Sequence, residues 1–218
     1  MAKISPSSNP EREENLVNYV LELQSMGADF MHMDIMDGKF VENTCLSHEI
    51  VKNVDSSCDI PLDVHLMVEN PRYHIPLYIE AGADIVTIHY ESYENITDLI
   101  DDIKLIKSNG VRAGISINPA TPVSSISTIL SMVDMVLVMS VVPGKSGQKF
   151  IESSLDKIRE LKDLIDENGY LITIEVDGGV NLENASSIVS SGADMLVMGS
   201  ALYKAENRKF VIDTIHSL

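Results

Sequence analysis

The sequence has few cysteines, few basic residues and no long apolar run, and each scarcity excludes a class of protein. Cys45 and Cys58 are too few for a disulfide framework and show no metal-ligand spacing. The sequence has only 16 lysines and arginines but 33 acidic residues, and the net charge of −17 disfavours binding to nucleic acid or anionic membranes. No apolar run approaches the ~20 residues that span a bilayer, and the first residues lack a signal-peptide core. We therefore expect a soluble cytoplasmic protein with free thiols that binds neither nucleic acid nor membrane.

Apolar, strand-like segments alternate with amphipathic helical patterns along the whole chain. Strands are predicted at residues 3–6, 29–35, 62–67, 84–89, 112–117, 134–140, 171–176 and 194–198. Helices are predicted at residues 11–26, 47–54, 71–81, 95–109, 124–131, 151–167, 183–191 and 206–217. The tripeptide Gly-Ala-Asp recurs at 27–29, 82–84 and 192–194, each time where a helix should end and a strand should begin.

Eight such units in 218 residues favour a closed α/β fold, the (β/α)8 or TIM barrel. Because no Pro/Gly/Ser-rich linker divides the sequence, we expect a single domain over residues 1–218. An open, doubly wound sheet is the alternative, but the glycine-rich dinucleotide turn that such sheets place after the first strand is missing.

Histidines and aspartates lie at the ends of three predicted strands. His32 and Asp34 are two residues apart, so their side chains point to the same side of a strand. His65 lies late in a second strand, and Asp177 directly follows a third. Active sites of TIM barrels lie at these carboxyl ends. The pattern predicts a metal site that also carries carboxylate bases; the alternative is a hydrogen-bonded polar layer in the barrel interior.

Glycine-bearing turns follow the last three predicted strands. They are Pro143-Gly144-Lys145-Ser146-Gly147-Gln148, Asp177-Gly178-Gly179-Val180-Asn181 and Gly199-Ser200-Ala201. Glycine lets a backbone approach a ligand closely, and backbone N–H groups in such turns bind phosphate. Because the loops after the last two strands form the usual phosphate site of a TIM barrel, we predict a phosphorylated ligand.

Taken together, these segments make the chain resemble the ribulose-phosphate 3-epimerase family over nearly its whole length. The segments that carry the resemblance are HMDIMDGKF (32–40), DVHLMV (63–68), NPATP (118–122), VMSVVPG (138–144), GQKF (147–150), VDGGVN (176–181) and GSA (199–201). The resemblance implies a TIM barrel that binds one divalent metal ion. It also implies the interconversion of D-ribulose 5-phosphate and D-xylulose 5-phosphate, and a homo-oligomer, either a dimer or a hexamer.

The resemblance also assigns residues. The implied metal ligands are His32, Asp34, His65 and Asp177, and the implied acid/base residues are Asp34 and Asp177. The implied substrate-binding residues are Ser7, Met36, His65, Met67, Met139, Gly144, Lys145, Ser146, Gly147, Gly178, Gly179, Gly199 and Ser200. Without the resemblance, the three methionines would be read as core residues. Lys145 is either a solvated loop lysine or a cation near the phosphate. His89 is expected to point inward as a supporting residue.

The implied chemistry fits these residue types. Epimerisation at C3 removes a proton next to the C2 ketone and returns one to the opposite face, so one carboxyl group must be ionised while the other is protonated. A cation stabilises the enediolate as a Lewis acid. Two imidazoles and two carboxylates suit Zn, Fe(II), Mn or Co.

The sequence departs from the family pattern in three loops that are expected to surround the substrate. They are residues 8–11, residues 42–48, where Glu42 replaces a usual proline, and residues 142–146, where Lys145 replaces a usual phenylalanine. The departures leave open a 3-epimerase for a hexulose 6-phosphate such as allulose 6-phosphate. A paralogue that binds a sugar phosphate without turning it over is a further alternative.

Overall fold

The structure is a computed structural model that describes residues 1–145 and 147–218. Within these residues, one sheet contains the strands β1 Lys3–Pro6, β2 Met31–Asp37, β3 Thr44–Cys45, β4 Leu62–Met67, β5 Ile85–His89, β6 Arg112–Ile117, β7 Met135–Met139, β8 Thr173–Asp177 and β9 Met195–Met198. The α-helices are α1 Leu16–Ser25, α2 His48–Asp55, α3 Pro71–Glu80, α4 Ile96–Ser108, α5 Ser154–Asn168, α6 Ala185–Ser190, α7 Ser200–Tyr203 and α8 Arg208–His216. None of the helices in the described ranges is long and apolar enough to cross a membrane.

Eight parallel strands close into a barrel, as predicted. The order β1-β9-β8-β7-β6-β5-β4-β2 runs through parallel neighbours, and β1 returns to β2 through a bridge between Ser7 and His32. The short strand β3 lies outside this ring and pairs antiparallel with the end of β2. The fold is a TIM barrel, and the open-sheet alternative is wrong.

An aspartate fixes several of the junctions that lead into the strands, and β2, β5 and β9 begin one or two residues after the positions predicted from the tripeptides. The carboxylates of Asp29, Asp84 and Asp194, which end the three Gly-Ala-Asp tripeptides, each accept a backbone N–H from the neighbouring strand. The donors are the amides of Ile4, Leu62 and Ile174, at 2.8–2.9 Å. Asp134 accepts the amide of Ala113 in the same way at 2.9 Å, without the tripeptide.

The prediction of a helix over residues 124–131 is wrong. Two short 3-10 turns, Val123–Ile126 and Leu130–Met132, stand there instead. This stretch is rich in serine and β-branched residues, whose helix propensity is low because their side chains compete for backbone groups or lose rotamers. The hydroxyl of Ser127, for example, donates to the carbonyl of Ser124 at 2.9 Å.

Alternation along β2 separates apolar side chains on the outer face from two polar side chains in the interior. In β2, Met33 and Ile35 belong to the main apolar cluster between the sheet and the helices. His32 and Asp34, between them, are buried outside that cluster. Since neighbouring side chains of a strand point to opposite faces, the histidine and the aspartate face the inside of the barrel.

Candidate active site

The four residues predicted as metal ligands lie together inside the barrel, on β2, β4 and β8, and Asp177 is the last residue of β8. The Nε2 atom of His32 is 3.3 Å from Nδ1 of His65 and 3.5 Å from Oδ1 of Asp34. Nδ1 of His65 is 3.4 Å from the same Asp34 oxygen. Asp177 completes the group, because one ligand atom from each of the four residues lies within 4.8 Å of the others. We call these four residues the ligand cluster.

The donor set fits a divalent cation. Nδ1 of His32 is held 2.6 Å from Oδ2 of Asp63, and both side chains are fully buried. A carboxylate at this position fixes the ring and directs the lone pair of the other nitrogen towards the ligand cluster. Two imidazole nitrogens and two carboxylates on one small volume are a set that Zn, Mn, Fe(II) or Co accepts.

The pKa values of the two aspartates in the cluster are shifted in opposite directions. Burial raises the pKa of Asp177 to about 7, and the negative charge of Asp34 adds to the effect. Burial acts in the same direction on Asp34, but the charges and hydrogen bonds of His32 and His65 outweigh it and lower its pKa. Pairs of carboxyl groups whose environments separate their pKa values serve as acid and base.

Two serines after β1 hold Asp34 in place. The hydroxyl of Ser7 donates to Oδ2 of Asp34 at 2.7 Å, and the backbone amide of Asp34 donates to Oγ of Ser8 at 3.2 Å. Ser7 also lines the cavity described below. The structure therefore gives Ser7 a contact with a proposed base as well as access to a ligand.

His89 points inward as predicted, and it contacts residues that the sequence reasoning missed. Its Nε2 lies 2.8 Å from Nε2 of His65, and its Nδ1 lies 3.1 Å from Oε2 of Glu91. The ring of Phe40 packs against His89 with ring centres 4.7 Å apart. The only sequence signal for Glu91 is its position two residues beyond the end of β5.

A cavity of about 300 Å³ opens above the ligand cluster. The predicted site residues that line it are Ser7, Asp34, Met36, Met67, Met139, Gly144, Lys145, Gly147, Asp177, Gly178, Gly179, Gly199 and Ser200. His32 and His65 are fully buried and do not line it. Ser146 lies outside the described residues. The sequence reasoning missed Asn9, Gln148, Asn181 and Lys204 among the polar lining residues.

The glycine turns meet at one end of this cavity. Gly178 and Gly179 have φ angles of 120° and 67°, the left-handed region that favours glycine. A Cβ atom on Gly179 would lie 2.4 Å from the backbone nitrogen of Phe150. The turn after β8 is therefore packed directly against the chain that follows the turn after β7, and only glycine fits there.

Two loops that depart from the family pattern contact each other at the cavity mouth. The ammonium of Lys145 lies 3.3 Å from a carboxylate oxygen of Glu42. The side-chain amide of Asn43 donates to the carbonyl of Gly144 at 2.6 Å. Lys145 is two-thirds exposed and also lines the cavity.

Comparison with known proteins identifies the family. The sequence model described as "Ribulose-phosphate 3 epimerase family" matches residues 3–203. The chain belongs to this family. The ribulose-phosphate 3-epimerase of Bacillus subtilis (strain 168) is 45% identical over 216 residues, which cover 99% of this chain and 98% of that protein. The chloroplastic ribulose-5-phosphate-3-epimerase of Arabidopsis thaliana is 43% identical over 204 residues, covering 94% and 72%. The chain is thus an epimerase, as predicted.

Solved structures support the fold at lower sequence identity. The 3-keto-L-gulonate-6-phosphate decarboxylase from Vibrio cholerae superposes with a TM-score of 0.74 at 14% identity, over 99% of this chain and 96% of that one. At this identity the likeness shows the barrel alone.

Proposed function

We propose that this epimerase interconverts D-ribulose 5-phosphate and D-xylulose 5-phosphate with the help of one divalent metal ion. The observation that carries the proposal is that Asp34 and Asp177, from β2 and β8, belong to one ligand cluster and line one cavity. The relatives from Bacillus subtilis and Arabidopsis thaliana are named for this reaction. His32, Asp34, His65 and Asp177 would hold the cation.

The two aspartates carry the proton transfer. The carboxylate that faces the C3–H bond of the bound epimer removes the proton, and the protonated aspartate on the other side returns one to the opposite face. In the metal-free site, the opposed pKa shifts favour an ionised Asp34 and leave Asp177 partly protonated near neutral pH. The pair exchanges roles when the other epimer binds. Lewis-acid stabilisation of the charge that develops on the C2 and C3 oxygens is what a divalent cation supplies when bound.

The remaining residues bind the substrate and keep it from water. The glycine turns that contain Gly147, Gly178, Gly179 and Gly199 take the phosphate at one end of the cavity. Met36, Met67 and Met139 form an apolar wall around the reacting carbons, where soft side chains adapt to either epimer. We also propose that residues 1–218 form one domain that acts in the cytoplasm. The resemblance to the family further implies a homo-oligomer, either a dimer or a hexamer.

A hexulose 6-phosphate is the second candidate substrate. It is favoured by one observation, the contact between Glu42 and Lys145, because both residues depart from the family pattern and Lys145 lines the cavity. The chemistry at C3 would be the same, and only the length of the sugar between C3 and the phosphate would differ.

The test is incubation of metal-loaded protein in D2O with ribulose 5-phosphate and, separately, with allulose 6-phosphate, followed by NMR. We expect epimer formation with deuterium at C3 from the pentulose phosphate, and loss of both signals after chelation. Faster turnover of the hexulose phosphate would replace the pentulose assignment. Absence of exchange with both sugars, in protein shown to hold metal, would refute the proposal.

A further inference from the structure

A continuous series of contacts connects helix α5 to the ligand His65. The ammonium of Lys157 in α5 donates to three carbonyls of the loop after β6, those of Asn118, Pro119 and Thr121, at 2.7–2.9 Å. The same loop holds Glu91, whose carboxylate contacts His89. His89 in turn contacts His65. Each contact lies within hydrogen-bonding distance, so the series fixes the position of every member.

The two carboxylate oxygens of Glu91 have different partners. Oε1 accepts the backbone N–H of Asn118 at 2.7 Å and the hydroxyl of Thr121. Oε2 is directed at Nδ1 of His89. A carboxylate only accepts hydrogen bonds, and therefore Nδ1 of His89 must carry a hydrogen.

The proton on Nδ1 of His89 fixes the proton on His65. A neutral imidazole has one donor and one acceptor nitrogen, so Nε2 of His89 is an acceptor. It lies 2.8 Å from Nε2 of His65, which must then be the donor. The remaining nitrogen of His65, Nδ1, carries the free lone pair, and it is the atom that lies next to Asp34 and His32.

We propose that Glu91 is a positioning residue that sets the tautomer of His65 through His89 and thereby keeps the Nδ1 lone pair of His65 directed at the cation site. The inference rests on the proposed metal site. The two histidine ligands are thus oriented by different means. His32 contacts the carboxylate of Asp63 directly, whereas His65 reaches a carboxylate through a second imidazole.

The variant Glu91→Gln separates this role from simple packing. The backbone amide of Asn118 and the hydroxyl of Thr121 both donate to the position of Oε1, so the glutamine oxygen must stay there. Its NH2 group then faces Nδ1 of His89 and requires that nitrogen to be an acceptor. In each of the two rings the hydrogen then moves to the other nitrogen. Nδ1 of His65 therefore carries a hydrogen that points into the cation site. The side chain keeps its size.

The first measurement reads the tautomers directly. With only six histidines in the chain, long-range ¹H–¹⁵N correlation spectra of the metal-free and zinc-loaded wild-type protein are assignable. We expect His89 as the Nδ1–H form and His65 as the Nε2–H form in the metal-free protein. The opposite pair of tautomers there would overturn the proposal, whatever the variant does.

The second measurement is zinc affinity, by competition with a chromophoric chelator. For Glu91→Gln we expect affinity weakened by about 10- to 100-fold, the usual effect of removing a residue that orients a metal ligand. Metal-free variant and wild type should have equal unfolding midpoints. The control is Glu94→Gln, an exposed glutamate on the same segment, with unchanged affinity. Equal zinc affinity of Glu91→Gln and wild type would overturn the inference, whereas failure of the wild type to bind zinc would count against the proposed metal site instead.

Discussion

Replacing Asp177 by asparagine separates the two proton transfers of the proposed reaction. Asp177 ends β8, and its backbone carbonyl, not its side chain, accepts hydrogen bonds from the amide and hydroxyl of Ser140 at 2.8 and 2.9 Å. Asparagine has nearly the same size and resembles the protonated, uncharged acid. Because burial and Asp34 already raise the pKa of Asp177 to about 7, the uncharged form is one that the metal-free site holds near neutral pH.

The expected loss of activity follows from removing one of two acid/base groups. A positioned acid or base contributes about 10²–10⁴-fold, or roughly 2.7–5.5 kcal/mol of barrier, so epimerisation should fall by at least about 100-fold. Asp34 remains and still faces C3. It should continue to exchange the C3 proton of one epimer with solvent and return it to the same face, while the other epimer loses its exchange.

The same substitution should stabilise the metal-free protein in one pH range only. An aspartate whose folded pKa lies above its unfolded value binds more protons in the folded state, so stability falls as pH rises from about 4 to 7 and stays lower above 7. Asparagine removes this loss. The variant should therefore have the higher unfolding midpoint at pH 8, and the difference should vanish near pH 4.

The assay is NMR of both purified epimers in D2O, with thermal unfolding after exhaustive chelation at pH 4–8. Asp163→Asn, an exposed aspartate of α5, is the matched control and should change neither result. Epimerisation by Asp177→Asn at the wild-type rate would refute the two-aspartate reasoning. Exchange lost equally from both epimers, in variant protein shown to retain metal, would show that Asp34 cannot act alone as a base.

Three other substitutions test the surroundings of the site. Asp63→Asn leaves the imidazole of His32 without its carboxylate and should weaken zinc binding about 10- to 100-fold in the same chelator competition. Gly179→Ala forces a left-handed alanine against a backbone nitrogen, so chemical unfolding should show a loss of at least roughly 1–2 kcal/mol. Glu42→Gln breaks an exposed ion pair with Lys145, worth about 0.2–1 kcal/mol. It should shift KM by less than about fivefold, and salt at about 0.5 M should erase the shift.

The regular parts of the fold were predictable because local signals and barrel geometry agree. The predicted strands 3–6, 62–67 and 112–117 have the bounds of β1, β4 and β6. The strand β3 was not predicted, since two residues carry no periodicity and their pairing depends on a turn at Gly38 with φ of 72°. The predicted helix 124–131 was wrong because apolar residues at three- and four-residue spacing alone do not overcome poor helix formers.

Local sequence patterns could also predict part of the candidate site, but not the contacts between residues that are far apart in the chain. Two-residue spacing was enough to place His32 and Asp34 on one side of β2. No spacing could join Glu91 to Thr121, 30 residues later, or Asn43 to Gly144, 101 residues later. These contacts exist because barrel closure brings loops from distant parts of the chain to one rim. A single sequence does not encode which loop atoms then meet.

The histidines and aspartates at the strand ends were interpreted either as a metal site or as a hydrogen-bonded polar layer. The two interpretations apply to two adjacent layers of the barrel interior. His32 belongs to both, since its Nε2 faces Asp34 and its Nδ1 faces Asp63. Glu175 lies beside Asp63 and 3.7 Å from His32, and burial together with the charge of Asp63 raises its pKa well above the usual range. The environment thus favours the uncharged form of Glu175, which lowers the cost of burying it beside a second carboxyl group. A polar layer beneath the cluster and a cation site above it are therefore compatible, because the lower carboxylate is what orients the upper imidazole.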